Sequence, residues 1–161
     1  AAREVVASHG GVKALVTAMF EDEPELRKRA SDVARRITEH DAEPLEQYAD
    51  ELAGLLAEVP VEESRTRWHL GLVVARVAHT REQRLRAARL MQLLIEEESN
   101  VVRCSAVEGI GLLAVGEPSL RGVAEEMITR SRREGTCAMK VRARHARRRL
   151  EKASGKRRPV A

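Results

Sequence analysis

Hydrophobic residues along this chain recur at helical spacing, in a frame that appears four times. Relative to a small or apolar residue at position 0, the frame is apolar at −4, basic at −3, and apolar again near +3 and +7. The third copy is Val102, Arg103, Ala106, Ile110 and Leu113. Apolar residues three, four and seven positions apart share one face of an α-helix. The pattern therefore predicts four helices, each with a basic residue near its start.

The four copies follow one another at a nearly constant distance. Their basic residues are Arg27, Arg67, Arg103 and Lys140, which are 40, 36 and 37 residues apart. A period of this length is typical of stacked helical repeats. Each frame also follows a shorter apolar run, separated from it by a turn that contains Pro, Gly, Asp or Ser. We therefore predict an all-α protein of about four helix pairs.

The predicted helix pairs form one domain over residues 1–153, followed by a tail. The tail, 154–161, is basic and has little to bury, so we expect it to be disordered. A single pair of helices cannot bury its apolar faces alone, and the pairs must therefore stack. The approximate boundaries of the four repeats are 11–40, 43–79, 80–116 and 118–153.

This frame resembles the HEAT-repeat family of armadillo-like α-solenoids. The resemblance rests on the pairs Leu26-Arg27 and Val102-Arg103, on the small residue three positions later, and on the period near 37; it extends from about Val12 to Ala153. It implies a right-handed α-α superhelix of antiparallel pairs, with the second helices on the concave face. It also implies a scaffold that binds other macromolecules.

In such repeats the basic residue pairs with an acid of the preceding turn. The acids that the resemblance assigns here lie five positions before each arginine: Asp22, Glu62 and Glu98. The fourth repeat departs from the pattern, because Gly135 occupies that position. The second repeat departs as well, with Thr66 and Leu70 in the frame.

The composition restricts the core to aliphatic residues, and the charges are distributed unevenly along the chain. Only 2% of residues are aromatic (Phe20, Tyr48 and Trp68) against 43% hydrophobic, so the core must be aliphatic. The net charge of +4 conceals an asymmetry, since residues 140–161 contain ten basic residues and one acid. The rest of the chain is mildly acidic, and its end is strongly basic.

No catalytic constellation is evident. The five histidines are scattered without metal-ligand spacing, and neither a Walker motif nor a nucleophile elbow is present. Cys104 and Cys137 lack CxxC spacing, while Gly109 and Gly111 suit close helix packing. We therefore predict no enzyme, no cofactor and no metal site. An enzyme of the DNA-glycosylase type, built on such repeats, is the least favoured alternative.

The second helices should present a groove with an apolar centre. Residues opposite the core face include Trp68 and Leu72, with Arg35, Arg76 and Glu108 at the rim. Tryptophan is enriched in binding hot spots, and a polar rim around an apolar centre is typical of interfaces. The first hypothesis is therefore a scaffold that binds a protein partner of unknown identity in this groove. The alternative is that superhelical curvature encloses Trp68 within the chain.

The basic end offers a second surface. Its predicted members surround the last helix: Arg142, Arg144, Arg147, Arg148, Arg149 and Lys152. Such a cluster suits nucleic acid, which makes a nucleic-acid-associated accessory domain the second hypothesis. An acidic protein or anionic surface, and a solvated capping helix, are the other interpretations.

The remaining expectations concern the setting of the chain. No apolar run reaches the roughly 18 residues of a membrane span, so we expect no membrane contact. Cytoplasm, where thiols stay reduced, is the expected location, and a monomer is the default state. The apolar segment 1–7 fits either a whole protein or a piece of a longer array.

Overall fold

The computed structural model describes residues 1–155, and this part of the chain is helical. Within it there are no strands, one 3-10 turn at Pro118–Leu120, and ten α-helices. In chain order these are α1 (Ala2–Ala7), α2 (Gly11–Phe20), α3 (Pro24–His40), α4 (Glu43–Glu46), α5 (Ala49–Glu58), α6 (Ser64–Val77), α7 (Arg81–Leu94), α8 (Asn100–Gly116), α9 (Arg121–Glu134) and α10 (Cys137–Gly155). The all-helical prediction is confirmed.

Successive helices pack in pairs, and the pairs pack on one another. Helix α2 contacts α3, α5 contacts α6, α7 contacts α8, and α9 contacts α10. The second helices also touch in chain order, from α3 to α6, α8 and α10. Helix α8 contacts α6, α7, α9 and α10, which places it at the centre of the core.

Local signals account for most helix starts and stops. Helix α3 begins with Pro24, whose fixed φ suits the first turn. A capping box begins α7: the Thr80 side chain accepts from the Gln83 N–H, and the Gln83 side chain accepts from the Thr80 N–H. Helix α2 follows Gly10, which has φ 78°, a left-handed conformation that favours glycine.

The first helix of the second pair is divided into two, α4 and α5. The Tyr48 N–H donates to the Leu45 carbonyl three residues back, and this tighter turn ends α4 before α5 begins. Leu45 and Leu52 are both fully buried, so the break keeps their side chains in the core. Helical spacing alone contains no signal for such a turn.

Small residues bring the second helices close together. A Cβ atom added at Gly71 would lie 2.8 Å from the Ser105 hydroxyl, and one added at Gly111 would lie 2.8 Å from the Cβ of Ala146. Gly109 lies in the same way against Met91. The structure thus agrees with the packing role expected for Gly109 and Gly111.

The end of α10 differs from the predicted tail. Ser154 and Gly155, expected to be disordered, are its last residues, and the Ser154 hydroxyl accepts a hydrogen bond from Arg121. The rest of the predicted tail, 156–161, lies outside the described residues. None of the helices in residues 1–155 is both long enough and apolar enough to span a membrane.

Candidate binding groove

All five residues predicted for the groove line one cavity of about 240 Å³, here called the Trp68 groove. Helix α6 contributes Trp68, Leu72 and Arg76, one helical turn apart; α3 contributes Arg35 and α8 contributes Glu108. Helix α10 completes the wall. The other lining residues are Glu39, Asn100, Val101, Cys104, Ser105, Ala138 and Arg142. Four second helices therefore meet at one open cavity.

The two predicted apolar anchors lie at different depths. Leu72 is only 4% exposed, so it forms the floor of the groove, and its prediction as an accessible contact residue is wrong. Trp68 is partly buried against the core, and the Arg35 guanidinium lies 5.5 Å from the centre of its ring. Trp68 is therefore not wholly enclosed, and a partly open aromatic surface is available at the groove.

Two arginines on one side of the groove are held in place by their neighbours. The Arg35 guanidinium donates to Asp32 at 2.9 and 3.0 Å and lies 3.5 Å from Glu39. Arg76 donates from Nη1 to the Arg35 carbonyl at 3.1 Å. Burial lowers the pKa of Arg76, against the opposing effect of Glu108 and Glu39. Both side chains are thus positioned before any partner arrives.

The predicted basic patch does not form one surface. Arg142 faces the Trp68 groove, 3.5 Å from Glu108, and Arg147 donates to the Thr129 hydroxyl at 3.3 Å. Arg149 is partly buried, and its Nη1 has no hydrogen-bond partner among residues 1–155. Arg144, Arg148 and Lys152 are exposed, four residues apart, along one side of α10. The predicted patch therefore divides into three exposed cations on one side of α10 and three that are paired or partly buried.

A larger cavity, about 710 Å³, lies between α2 and α3. Small and acidic residues line much of it, among them Ala14, Thr17, Glu21 and Asp22. It involves a single helix pair and contains neither an aromatic residue nor an arginine. The Trp68 groove is the better candidate site, because it combines an aromatic surface with fixed charges from four helices.

Two arginines of the frame, Arg27 and Arg67, each connect their helix pair to the next one. Arg27 donates from Nε and Nη2 to Glu63 at 2.9 and 2.5 Å, and Arg67 bonds Glu97 in the same way. The hydrogen bond with Glu63 raises the pKa of Arg27, although burial acts against it. We call these two contacts the arginine bridges.

The arginine bridges correct the expected pairing. The resemblance assigned Arg27 and Arg67 to acids of their own turns. Each carboxylate comes instead from the turn between the two helices of the next pair. Arg67 Nη1 donates to the carbonyls of Leu56 and Val59, at the end of α5, the first helix of the same pair. The acids used, Glu63 and Glu97, each adjoin one that the resemblance named.

One buried histidine lies between α3 and α6, and its environment was not apparent from the sequence. The Ser31 hydroxyl donates to the Lys28 carbonyl at 2.9 Å and lies 3.0 Å from His69 Nδ1, within hydrogen-bond distance. His69 Nε2 lies 3.7 Å from Asp32. Burial lowers the pKa of His69 to about 4. Because Ser31 is fully buried, this Ser-His-Asp group holds two helices together and is closed to a substrate.

Both cysteines are free; Cys137 is exposed, and burial raises the pKa of Cys104 in the groove. Within residues 1–155, no three His, Cys, Asp or Glu side chains are grouped closely enough to hold a metal ion.

No family model, curated protein or solved structure matches the chain. The resemblance to HEAT repeats therefore rests on the residues of the frame alone.

Proposed function

We propose that this chain is a non-enzymatic, HEAT-like scaffold that binds a segment of a partner protein in the Trp68 groove. The observation behind the proposal is that four second helices bring Trp68 and three arginines, Arg35, Arg76 and Arg142, to one open cavity. Aromatic residues and arginine are the residue types most enriched at binding hot spots. We assign the scaffold to the cytoplasm, where its two free cysteines stay reduced.

The architecture in this proposal is a right-handed α-solenoid of four helix pairs. Contacts of the second helices in strict chain order support it. The arginine bridges support it too, because each links one helix pair to the next at the same position of the frame. In such an array, the exposed side of the second helices is the natural place for an elongated ligand.

The groove suits a segment with an apolar side chain next to an acidic one. The apolar side chain would pack on Trp68 above Leu72, which is already buried. Of the charged residues lining the groove, Arg35, Arg76 and Arg142 outnumber Glu39 and Glu108. An acidic neighbour on the ligand would therefore complement the wall.

Selection of phage-displayed peptides against the wild-type protein tests the proposal. We expect enriched peptides that pair apolar with acidic residues and bind Trp68→Ala at least tenfold more weakly, as for a hot spot. Phe20→Ala is the matched control, since Phe20 is 49% exposed and lies outside the groove. Peptides that bind both variants equally, or no enrichment at all, would contradict the proposal.

A second candidate function is nucleic-acid association through α10. The observation that favours it is the exposed row of Arg144, Arg148 and Lys152, spaced at one helical turn. We would titrate labelled DNA and RNA by fluorescence anisotropy at about 50 and 200 mM salt, because phosphate contacts weaken steeply with salt. Binding that persists at the higher salt and is lost when all three are changed to Glu would support this function. Binding that the triple variant retains, or no binding at about 50 mM salt, would remove it.

A further inference from the structure

A separate cavity of about 200 Å³ lies where α8 meets the turn between α9 and α10; we call it the Arg103 cavity. It shares no lining residue with the Trp68 groove. The residues around it are Ile95, Arg103, Arg130, Ser131, Glu134, Gly135 and Met139. Its position is that of a third arginine bridge, because Arg103 occupies the same place in the frame as Arg27 and Arg67.

Two buried polar atoms of this cavity have no hydrogen-bond partner within residues 1–155. They are Nε of Arg103 and the hydroxyl oxygen of Ser131, a residue that is only 1% exposed. Buried donors without a partner are rare in folded proteins and need a specific explanation. Both groups can donate to an anion, and no group of the described residues engages either of them.

The two complete bridges show which contact Arg103 lacks. Arg27 Nε donates to Glu63 at 2.9 Å, and Arg67 Nε donates to Glu97 at 3.0 and 3.1 Å. In each case a carboxylate of the following turn satisfies the Nε atom that is unpartnered at Arg103.

The acid at the third position is directed elsewhere. Glu134 accepts from Arg133 Nε and Nη2 at 2.9 and 2.6 Å and lies 3.9 Å from Arg130. The next residue is Gly135, which has no side chain to contribute. The guanidinium of Arg103 therefore faces a cavity where the other two arginines face a carboxylate.

We propose that the Arg103 cavity binds a small oxyanion, a free carboxylate or phosphate, in the place that Glu63 and Glu97 occupy at the other bridges. The planar guanidinium fork matches such groups, and the Ser131 hydroxyl supplies a further donor. Arg130, bonded to Glu96 at the surface, adds positive charge at the edge of the cavity. The volume limits the ligand to a few heavy atoms beyond the anion itself.

The proposal is tested by NMR titration of the ¹⁵N-labelled chain with sodium phosphate and, separately, sodium succinate. Sodium chloride keeps the ionic strength constant. We expect saturable shifts of the Arg103 Nε–H and of the amides around Ser131. Whichever salt binds at lower concentration identifies the anion class. Arg103→Gln should weaken binding at least tenfold, whereas Arg132→Gln, an exposed change on the same helix as Ser131, should leave it unchanged.

Two further variants keep the outcome decisive. Ser131→Ala retains the charge of the site and should weaken binding severalfold, so it serves if Arg103→Gln does not fold. Glu134→Gln removes the acid that could swing into the cavity. If wild type shows no saturable shifts, or if only Glu134→Gln binds, the chain closes the bridge itself and the proposal is overturned. Equal binding by wild type and Arg103→Gln overturns it as well.

Discussion

His69 lies between two helices with its ring 4% exposed, close to Ser31 and Asp32. Burial lowers its pKa to about 4, whereas an unfolded histidine has a pKa of about 6.5. The folded state therefore binds fewer protons than the unfolded state between these pH values. As a result, this residue contributes stability that is fully present above about pH 6.5 and is lost as the pH falls towards 4.

We expect the free energy of unfolding to fall by about 2 to 3 kcal/mol between pH 7 and pH 4 because of His69 alone. Carboxylates also titrate in the lower part of this range, so the comparison must be with His69→Asn, which keeps a polar group near Ser31. Urea denaturation of both proteins at half-unit pH steps provides the measurement. If the two curves stay parallel, His69 does not titrate as the structure indicates.

The two cysteines should differ in their reaction with iodoacetamide. Cys137 is exposed, while burial raises the pKa of Cys104, and the thiolate is the reacting form. We expect Cys104→Ser to be alkylated at least tenfold faster at pH 7.5 than Cys137→Ser, as followed by mass spectrometry. Equal rates would show that the floor of the Trp68 groove opens to solvent.

At the level of the helix, the close packing of α8 depends on glycine residues. It contacts four other helices, and Gly109 and Gly111 let α6, α7 and α10 approach it closely. In an exposed helix, glycine is about 1 kcal/mol less favourable than alanine. The presence of two glycines in this helix is therefore explained by packing.

Gly111→Ala should destabilise the protein by about 1 kcal/mol. The added Cβ would lie 2.8 Å from the Cβ and 3.3 Å from the Cα of Ala146, so α8 and α10 must separate, and this overpacking outweighs the gain in helix propensity. Gly122→Ala is the matched control, because nothing lies within 4 Å of the added atom; it should stabilise by roughly 0.5 to 1 kcal/mol. Thermal unfolding measures both. Stabilisation by Gly111→Ala would refute the close contact.

Across the whole molecule, the arginine bridges join neighbouring helix pairs through residues 36 and 30 positions apart in sequence. The side chains of Arg67 and Glu97 are each 11% exposed, so removing one leaves the other charge largely buried. Glu96, the preceding residue, also reaches a later helix through Arg130, but that pair is about half exposed. Two adjacent acids thus make comparable connections at different depths.

Glu97→Gln should cost about 3 kcal/mol of folding free energy, because a partly buried charge loses its partner. Glu96→Gln should change the urea midpoint far less, since exposed ion pairs contribute little. Chemical denaturation of the two variants, side by side, measures the difference. A similar midpoint for both would show that burial does not set the strength of the bridge.

Most of the fold follows from local spacing, and the exceptions depend on turns. The frames at Arg27, Arg67 and Arg103 lie on α3, α6 and α8, because apolar periodicity is a property of each helix by itself. The break near Tyr48 and the choice of Glu97 as a bridge partner depend on how a turn is folded. A shift of one residue there redirects a side chain, and periodicity contains no information about it.

Much of the candidate site could also be predicted, since helical geometry places Trp68, Leu72 and Arg76 on one side of α6. The depth of Leu72 could not, because it is determined by how closely α3 and α8 approach. The division of the basic patch could not be predicted either. In the structure Arg142 lies close to Glu108, and Arg149 is partly buried. These features arise only when separate helices meet.

The direction of the arginine bridges restricts how such a chain can be rearranged. Because each arginine takes its carboxylate from the following helix pair, a cassette of one pair carries the guanidinium without its acid. Recombination that exchanges the second pair alone would therefore leave two mismatched junctions, Arg27 with Glu63 before it and Arg67 with Glu97 after it. An exchange of neighbouring pairs together would keep the bridge between them, so chimeras should tolerate blocks of two pairs better than single ones.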